Sequence, residues 1–482
     1  MINALVTGGS RGIGRAACLK LASMGMHVLV NFKENSAEAD KTIAMIREKG
    51  GSAELMKFDV ANAADWLASH LRSIGMQTVE CVPTDGHPIV YAEWLGANGP
   101  TLLFYGHYDV QPVDPLDQWQ TPPFEPTLRD GKIYARGATD DKGQVWLVIS
   151  AIESWLRSVG HLPCNVKLLI EGEEEIGSTH LGTFIRTYQQ RLACDAVLVC
   201  DTAMFAPDIP SLVYGLRGLA YVEVHVRGPR RDLHSGSYGG AVVNPANALA
   251  AMIAALHDEH GRVAVPGFYN AVLPLSEQER QLLAALPFDE EAYRQELDVP
   301  ALGGEEGYSV LERIGARPTL DVNGMWSGFT GTGAKTVLPA TAHAKISMRL
   351  VPEQQPDQIA QQVARFLEQC APAGVRVQVQ TLHGAEPVLV DRTSPPMMAA
   401  ARALEQAFGR APVYQREGGS IPVVTTFVRE FGVPVVLMGF GLHTDGAHSP
   451  NEHFHLANFH RGTDAVIYFF EELARGASFS PC

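Results

Sequence analysis

The chain has few of the features that mark membrane or disulfide-bonded proteins. Only seven of its 482 residues are cysteine and no two form a C-x-x-C pair, so neither a disulfide framework nor a cysteine zinc site is predicted. Its longer apolar runs, such as 433–438, fall far short of the ~20 residues that a membrane helix needs. The first ten residues include no basic residue, which argues against a secretory signal and favours a cytoplasmic protein.

Positive charge is also scarce. The 38 lysine and arginine residues are outnumbered by 53 aspartate and glutamate residues, which gives a formal net charge of −15 at pH 7. Such a charge repels phosphate backbones and anionic lipid surfaces, so we expect neither nucleic acid nor a membrane as partner. Hydrophobic residues make up 46% of the chain, enough for a folded core, and the length predicts two or three domains.

The first sixty residues have the pattern of a partial Rossmann segment. Apolar strands alternate with helices in the order β-α-β-α-β, and the first turn contains Gly8, Gly12 and Gly14. Such glycines let backbone N–H groups approach a pyrophosphate at the start of a helix. The segment resembles the start of a short-chain dehydrogenase/reductase of the ketoacyl reductase type, in which these three glycines would line NADP.

This resemblance ends near residue 60. It implies that Arg11 and Lys33 would favour NADP and that Asp59 and Val60 would lie beside the adenine. However, none of the 13 tyrosines has a lysine four residues later, so the Tyr-x-x-x-Lys pair that carries reductase chemistry is absent. A structural or vestigial role is therefore favoured over nucleotide binding, and an NADP-dependent oxidoreductase is kept as a lower alternative.

From residue 61 the organisation changes. An α/β pattern runs to about residue 211, an alternating pattern of the α+β type follows, and the α/β pattern then returns to the C-terminus. We predict three parts: the Rossmann segment 1–60, a discontinuous α/β catalytic domain at 61–211 and 387–482, and an inserted α+β lid and dimerisation domain at 212–386. The stretch 260–318 is expected to be irregular.

Five short motifs place acidic or histidine side chains at predicted strand ends and in small-residue loops. These motifs are His107-Tyr108-Asp109, Asp140-Asp141, Glu171 to Glu175, Asp201 and His448. His107 and Asp109 share one face because side chains alternate along a strand, and a carboxylate there can orient a metal-binding imidazole. Four carboxylates at one strand end are costly unless cations compensate them. Since strand ends build the sites of α/β sheets, we expect the motifs to converge.

Together the motifs resemble the dinuclear-zinc exopeptidase and amidohydrolase family. This family includes carnosinase-like dipeptidases, aminoacylase, glutamate carboxypeptidase and succinyl-diaminopimelate desuccinylase, and the resemblance runs from about residue 61 to the C-terminus. The dipeptidase branch is favoured by Asp232-Leu-His-Ser-Gly-Ser-Tyr-Gly-Gly240 and by Arg416-Glu-Gly-Gly-Ser420. The helical segment with which family members begin is replaced here by the Rossmann-like segment.

The resemblance implies two divalent metal ions per subunit. One ion would be held by His107, Asp140 and Asp201, and the other by Asp140, Glu175 and His448, so that Asp140 bridges them. Three protein ligands with an open position are typical of a catalytic zinc ion. Zinc is favoured, with manganese and cobalt as alternatives, because sites of histidine and carboxylate accept all three.

The resemblance assigns three further catalytic roles. Glu174 would be the general base, taking a proton from the attacking water and passing one to the leaving amine. Asp109 would orient His107. His234 would be an oxyanion donor in the partner subunit's site, which implies a homodimer, although a histidine that only structures a glycine turn is the alternative. The Asp140–Asp141 peptide bond is expected to be cis.

The expected substrate contacts are Arg349, Thr336, Gly419 and Ser420, with the arginine suited to grip a carboxylate. We therefore predict a hydrolase that cleaves the amide bond of dipeptides or similar substrates bearing a free carboxylate. An N-acyl-amino-acid deacylase of the same family is the first alternative, because it would differ only in the acyl pocket. A non-catalytic binding protein on the same scaffold is a further alternative, against which the intact Glu174 and ligand set argue.

Overall fold

The computed structural model describes residues 3–6, 12–24, 26–32, 36–57 and 63–476. Contacts divide the chain into two compact units: the residues up to 188 together with those from 445, and residues 189–444. The predicted domain boundaries at 60, 211 and 386 stay a prediction. Within the described ranges, no helix combines the length and the apolar composition needed to cross a membrane.

The N-terminal segment is a small parallel sheet with a helix between each pair of strands. Its elements are β1 (Asn3–Val6), α1 (Gly12–Ser23), β2 (His27–Phe32), α2 (Ser36–Glu48) and β3 (Ser52–Lys57). Strand β2 pairs in parallel with β1 and with β3, which confirms the predicted β-α-β-α-β order. Val28 and Val30 of β2 are fully buried against residues of both helices, such as Cys18 and Ile46.

The predicted NADP contacts fall mostly beyond what the structure describes. Gly12 and Gly14 lie in the first turn of α1. The remaining predicted contacts lie outside the described residues: Gly8, Arg11, Lys33, Asp59 and Val60. The role of this glycine turn therefore stays a prediction.

The rest of the first unit is built on four strands that pair in the order β6-β9-β5-β4. Its elements are α3 (Ala63–Ser73), β4 (Thr78–Val82), β5 (Ile89–Trp94), β6 (Thr101–His107), β7 (Thr127–Arg129), β8 (Lys132–Tyr134), α4 (Lys142–Ser158), β9 (Asn165–Glu171) and α5 (Leu181–Thr187), with 3₁₀ turns at Leu116–Gln118 and Glu174–Ile176. Strands β6 and β9 run in parallel and are buried along almost their whole length, as expected of central strands. Their carboxyl ends therefore meet at one edge.

A glycine allows β6 to lie close to α4. A Cβ at Gly106 would be 2.5 Å from Val145 Cγ2 and 2.9 Å from Asp141 Oδ2. Neither distance is tolerated by a real side chain. The end of β6, which carries His107, is thus held directly against the loop that carries the aspartate pair.

The second unit begins at residue 189 and contains two sheets and a small ribbon. Its elements are α6 (Gln189–Leu192), β10 (Ala196–Val199), β11 (Ser211–Leu216), β12 (Gly218–Arg227), β13 (Leu233–His234), α7 (Ser235–Tyr238), α8 (Pro245–Ala254), α9 (Glu277–Ala284), α10 (Glu290–Glu296), α11 (Val310–Gly315), β14 (Thr319–Ser327), β15 (Val337–Leu338), β16 (Thr341–Leu350), α12 (Pro356–Cys370), β17 (Arg376–Ala385), β18 (Val388–Leu389), α13 (Pro395–Phe408), β19 (Val413–Glu417), α14 (Pro422–Phe431) and β20 (Val435–Leu437), followed by a 3₁₀ turn at His443–Asp445. Strand β20 pairs in parallel with β10, and β11 pairs with β18, β19 and β20. The chain then returns to the first unit with β21 (His453–His455), which pairs with β8, and α15 (Leu456–Arg475).

The other sheet of the second unit is antiparallel, in the order β14-β16-β12-β17. Burial alternates strictly along β12, so Val222 and Val224 point into a core shared with α8 and α12 while Glu223 and His225 point outward. This alternation is the pattern of a sheet with one covered face. The other face carries side chains that point away from this core, including Glu223 and His225.

The stretch 260–318, expected to be irregular, contains three short helices, so that expectation is wrong. Ser276 caps α9 by accepting the Glu279 N–H at 3.2 Å, and Ser309 and Glu312 form a capping box at the start of α11. Asp289 caps α10 in the same way. Caps satisfy backbone N–H groups that a short helix leaves unpaired, which is why these helices form despite little apolar periodicity.

Candidate functional site

His107 lies at the end of β6 and is completely buried, with 0% of its surface exposed. Its Nδ1 is 3.2 Å from Asp109 Oδ1 and its Nε2 is 3.1 Å from Asp140 Oδ1. Asp109 also accepts the backbone N–H groups of Glu174 at 3.3 Å and Glu175 at 3.0 Å. Burial acts to raise the pKa of Asp109, but the hydrogen bond with His107 lowers it below its ordinary value. One ionised carboxylate therefore orients the imidazole and anchors the glutamate turn.

His448 completes a cluster with the same aspartate. Its Nε2 lies 2.8 Å from Asp140 Oδ2 and 3.3 Å from Glu175 Oε2. The backbone of His448 is left-handed, with φ of 61°, a conformation that few non-glycine residues adopt, and its side chain is 58% exposed. Asp140 thus offers one oxygen to each histidine. We call His107, Asp140, Glu175 and His448 the catalytic cluster.

Electrostatics in the catalytic cluster are dominated by its two histidines. Burial acts to raise the pKa of Asp140, but hydrogen bonds with His107 and His448 outweigh it and hold the pKa far below its ordinary value. Hydrogen bonds to Asp140 and then to Glu175 raise the pKa of His448 to about 10. In the metal-free chain a proton on His448 therefore supplies the positive charge that the two carboxylates require.

The donor set fits a divalent metal ion. Asp140, Glu175 and His448 each place a ligand atom within 4.8 Å of the others. Imidazole nitrogen and carboxylate oxygen are ligands of zinc and of its neighbours in the first transition row. The Asp140–Asp141 peptide bond is cis, which confirms the expectation from the sequence.

Two residues that support the cluster were not predicted. Glu452 is completely buried and accepts the backbone N–H groups of Gly137, Thr139 and Asp140, at 2.9, 2.9 and 3.1 Å. It also forms an ion pair with the Arg136 guanidinium at 2.7 Å. The aspartate loop is therefore built around a single carboxylate, and no local spacing in the sequence marks that role.

Gln111 is the second supporting residue. Its backbone N–H lies 3.1 Å from Glu175 Oε1, and its side-chain amide donates to Glu175 Oε2 at 2.7 Å. Both carboxylate oxygens of Glu175 are thus held by one residue, which orients the group toward His448. Sequence reasoning missed Gln111 because an isolated glutamine in a loop carries no signal of a metal site.

The four glutamates of the run 171–175 have different surroundings. Glu171 accepts hydrogen bonds from Tyr105 at 2.6 Å and from Ser178, and burial raises its pKa to about 7. Glu173 accepts the His87 N–H at 2.9 Å and contacts His180 at 2.8 Å. Protein donors therefore satisfy these two glutamates. Glu174 and Glu175 form the turn tied to Asp109.

Asp201, the remaining predicted ligand, follows β10 in the second unit. Near it lies the partly buried Glu417, which accepts the Ala203 N–H at 3.2 Å. Burial, and to a smaller extent the charge of Asp201, raise the pKa of Glu417 to about 8. The assignment of Asp201 as a metal ligand stays a prediction.

The second unit brings Arg349 and Ser420 together. The Arg349 guanidinium donates to Ser420 Oγ at 3.0 Å, and that hydroxyl donates to the Arg217 carbonyl at 2.5 Å. Arg217, which sequence reasoning missed, donates through Nε to the Gly418 carbonyl at 3.4 Å. Burial and then the charge of Arg349 lower the pKa of Arg217 to about 10. Two guanidinium groups and a hydroxyl beside Gly419 form a region suited to an anionic group.

His234 and Thr336 lie elsewhere in the same unit. Strand β13 pairs with β15, and the Ser235 N–H donates to the Thr336 carbonyl at 3.1 Å. Thr336 precedes the start of β16, whereas Arg349 lies near its end, and the eight intervening strand residues span roughly 27 Å. The structure therefore groups His234 with Thr336 and Arg349 with Ser420, but does not bring the two groups together. His234 Nδ1 accepts the Gly236 N–H at 3.0 Å.

Two known families match the chain. Residues 103–472 match the family described as Peptidase family M20/M25/M40. Residues 3–74 match the short chain dehydrogenase family. The five acidic and histidine motifs lie inside the first match, and the glycine turn lies inside the second.

Individual proteins are similar over most of the chain. Beta-Ala-His dipeptidase of Homo sapiens is 35% identical over 395 residues, which cover 80% of this chain and 78% of that protein. Cys-Gly metallodipeptidase DUG1 of Candida albicans is 33% identical, covering 85% of this chain and 89% of that protein. Among solved structures, the M20 family metallo-carboxypeptidase Sso-CP2 from Sulfolobus solfataricus superposes with a TM-score of 0.78 at 34% identity, covering 86% of this chain and 94% of that one.

Proposed function

Because this chain belongs to the peptidase family M20/M25/M40, we propose that it is a metal-dependent dipeptidase that cleaves an amide bond beside a free carboxylate. Asp140 carries the proposal, since its two oxygens face His107 at 3.1 Å and His448 at 2.8 Å. A carboxylate shared between two ligand sets is what a two-metal hydrolase requires. The similarity to proteins named Beta-Ala-His dipeptidase and Cys-Gly metallodipeptidase supports a dipeptide as substrate.

The ligand sets follow from the same residues. His107, Asp140 and Asp201 would hold one ion, and Asp140, Glu175 and His448 would hold the other. Zinc is the first choice, with manganese or cobalt accepted by the same donors. When bound, the ions polarise the substrate carbonyl and lower the pKa of the attacking water.

Glu174 moves the proton. Its carboxylate accepts a proton from the attacking water and delivers it to the amine nitrogen as the amide bond breaks. Support comes from the turn on which it lies, because Asp109 binds the backbone N–H groups of both Glu174 and Glu175. The base is therefore held in a fixed relation to a metal ligand and to His107.

Arg349 and Ser420 bind the free carboxylate of the substrate. The guanidinium offers paired donors that match a carboxylate, and the 3.0 Å contact with Ser420 fixes its orientation. Gly419 adds a backbone donor. Arg217 holds the Gly418 carbonyl and so sets the position of this loop. An anionic substrate end also relieves the repulsion between the two partly buried guanidinium groups.

His234 and Thr336 serve the site of the partner subunit in a homodimer. Their separation from Arg349 along β16 supports this, because one small substrate does not reach both groups within one chain. His234 donates to the oxyanion that forms at the scissile carbonyl. The inserted domain, residues 212–386, then acts as a lid and as the dimerisation domain.

The test is hydrolysis of a panel of dipeptides and N-acyl amino acids, followed by mass spectrometry with added zinc or manganese. We expect dipeptide cleavage that Asp140→Ala abolishes. Cleavage of N-acyl amino acids alone would identify a deacylase on the same scaffold. No cleavage by the metal-loaded chain would leave a binding protein, and the proposal would then be wrong.

The dimer has its own test, in which inactive variants are mixed and refolded together. In a heterodimer of His234→Ala with Arg349→Ala, one site has both groups intact. Random pairing of subunits should therefore restore about a quarter of wild-type activity, since half of the dimers each regain one of two sites. Activity no greater than that of the separate variants would contradict the shared site.

The N-terminal segment is proposed to be structural. No tyrosine in the chain is followed four residues later by lysine, so the proton-transfer pair of the reductases is missing. Titration with NADPH, followed by its fluorescence, should show no saturable binding. A saturable signal would instead restore a nucleotide-binding role for the glycine turn.

A further inference from the structure

A second group of potential metal-ligand side chains lies on the outward face of the antiparallel sheet β14-β16-β12-β17 in the second unit. His225 on β12 and His343 on β16 occupy directly opposite positions in the register. Their Nδ1 atoms are 2.9 Å apart, and Glu223 Oε1 lies 3.7 Å from His225 Nε2. Each of the three residues offers a ligand atom within 4.8 Å of the others. We call Glu223, His225 and His343 the sheet cluster.

We propose that the sheet cluster binds a divalent transition-metal ion that is separate from the two ions of the dipeptidase site. Two imidazole nitrogens and a carboxylate oxygen are a common ligand set for zinc, nickel and copper. None of the three residues is used by the proposed catalytic chemistry. The proposal therefore adds a site to the chain and does not depend on the peptidase function.

The distance between the two imidazole nitrogens supports this. Two Nδ1 atoms 2.9 Å apart cannot both carry a hydrogen. Without a metal, one ring must therefore donate its N–H to the unprotonated nitrogen of the other. Two nitrogens bound at ~2.0 Å and at right angles to one ion would be ~2.9 Å apart, as in tetragonal nickel or copper sites. A tetrahedral zinc ion needs ~3.3 Å, which a small change in side-chain torsion supplies.

The neighbours of the cluster favour neutral imidazoles in a fixed orientation. Trp326 on β14 stacks on His343, with ring centroids 5.1 Å apart and planes 11° apart. Burial and then the charge of His225 lower the pKa of His343 below its ordinary value. The side chains of Glu223 and His225 are 20% and 33% exposed, which leaves the cluster open to solvent.

The groups that face the cluster limit its affinity. Lys345 lies opposite Glu223 on β16, and Gln380 lies opposite it on β17. Gln378 lies opposite His225. The lysine is the one unfavourable charge among these facing groups, so we expect weaker binding than at the catalytic cluster. An ion there would join β12 to β16, the central strands of the sheet.

The test measures metal content in the full-length chain after removal of metal with a chelator. The Asp140→Ala background removes the shared ligand of the proposed catalytic ions and isolates the sheet cluster. Equilibrium dialysis against zinc or nickel, read by elemental mass spectrometry, should show one ion fewer per chain when His343→Ala is added. The matched control is His383→Ala. His383 lies on the same face of the sheet, stacked on Tyr221, and its loss should leave the number of bound ions unchanged.

Two further measurements keep the proposal open to refutation. Copper bound to the Asp140→Ala chain should give an electron paramagnetic resonance spectrum with two nitrogen couplings, and His225→Ala should remove one. Trp326→Leu keeps every ligand and should weaken binding by about 10-fold, the effect expected when a group that orients a ligand is lost.

An unchanged metal count in both histidine variants would overturn the proposal. Such a result would leave the proposed function intact, because dipeptide hydrolysis is measured separately and His343→Ala should not affect it. Conversely, a wild-type chain that binds the sheet ion but cleaves no dipeptide would contradict the proposed function and leave the sheet site intact. The two failures are therefore distinguishable.

Discussion

The catalytic cluster and the sheet cluster use the same side chains in different settings. The ligands of the first lie where strands end and loops begin, and other groups hold their remaining polar atoms. Asp109 binds His107, Gln111 binds both oxygens of Glu175, and the backbone N–H of Asp140 is bound by Glu452. The ligands of the sheet cluster lie in the middle of strands, and one indole ring orients one of them.

The difference shows what a catalytic metal site needs beyond its ligands. Strand register alone brings two histidines within 2.9 Å on the sheet, so proximity of ligands is easily produced by a fold. What the sheet cluster does not share is a set of buried carboxylates behind the ligands and a glutamate on the same turn as one of them. Groups that fix the ligands contribute to metal affinity, and a base beside the ions is needed for chemistry.

The base should give the largest effect that separates the two clusters. Glu174→Gln keeps the size of the side chain but removes the proton acceptor, so kcat should fall by about 10²–10⁴-fold. Metal content should stay unchanged, because the residue is not a proposed ligand. His343→Ala is the matched variant on the sheet and should keep full activity. A Glu174→Gln enzyme with near-normal kcat in a steady-state assay would remove Glu174 from the mechanism.

The buried support of the catalytic cluster should also contribute to stability, unlike its counterpart on the sheet. Glu452→Gln leaves Arg136 buried without its ionised partner and replaces one of the two oxygens that accept backbone N–H groups with an amide NH₂. We expect the free energy of unfolding of the metal-free chain to fall by about 3 kcal/mol. Glu223→Gln, on the open sheet face, should change it by no more than about 0.5 kcal/mol. Urea unfolding of both variants makes the comparison, and equal effects would contradict it.

Orientation of a ligand should have a smaller effect than loss of the base. Asp109→Asn keeps the shape of the side chain but weakens its bonds to His107 and to the glutamate turn. We expect zinc affinity at the catalytic cluster to fall by about 10–100-fold. Competition with a fluorescent chelator measures this. If Asp109→Asn binds zinc as tightly as the wild type while its structure is intact, Asp109 does not act through the metal.

Local patterns were sufficient for the parts of the fold that depend on neighbouring residues. The alternation of side chains along a strand placed His107 and Asp109 on one face, and the structure has them 3.2 Å apart. Apolar periodicity placed the N-terminal β-α-β-α-β order correctly. The same alternation turns His225 outward, but its contact with His343 depends on a strand 118 residues later in the chain.

Residues that act over long sequence distances could not be found in this way. Glu452 binds the backbone of Asp140 across 312 positions, and Ser420 binds the carbonyl of Arg217 across 203. Spacing carries no information about such pairs, because they meet only after the sheets have formed. Glu171 and Glu174 show that spacing is also insufficient within one run. The two residues are identical in sequence, and their different roles depend on the groups that surround them in the fold.

The helices at 277–315 were missed for another reason. Their signals were present in the sequence, since Ser309 and Glu312 stand at capping-box spacing and Ser276 precedes Glu279 by three residues. The helices are only six to eight residues long, so apolar periodicity could not develop over them. For short helices the capping residues are the stronger evidence, because each cap satisfies one or two of the backbone N–H groups that the helix start leaves unpaired.

The pH dependence of metal affinity should also separate the two clusters, because only one of them must lose a proton when the metal binds. Hydrogen bonds raise the pKa of His448 to about 10, so in the metal-free chain its ring is protonated throughout the neutral range. A metal needs the neutral ring, and binding must therefore release that proton. Affinity at the catalytic cluster should rise about tenfold per pH unit between pH 7 and 9. Burial and His225 lower the pKa of His343, so affinity at the sheet cluster should change little over the same range.

Zinc titrations against a chelator of known pH dependence measure both slopes. The sheet cluster is isolated with Asp140→Ala and the catalytic cluster with His343→Ala. His448→Ala should lose the steep dependence together with much of the affinity, because the competing proton and the ligand are the same group. Equal slopes in the two backgrounds would mean that His448 is not protonated in the metal-free chain. The separation of the clusters would then rest on the carboxylates behind the ligands alone, and Glu452 and Asp109 would account for the whole difference in affinity.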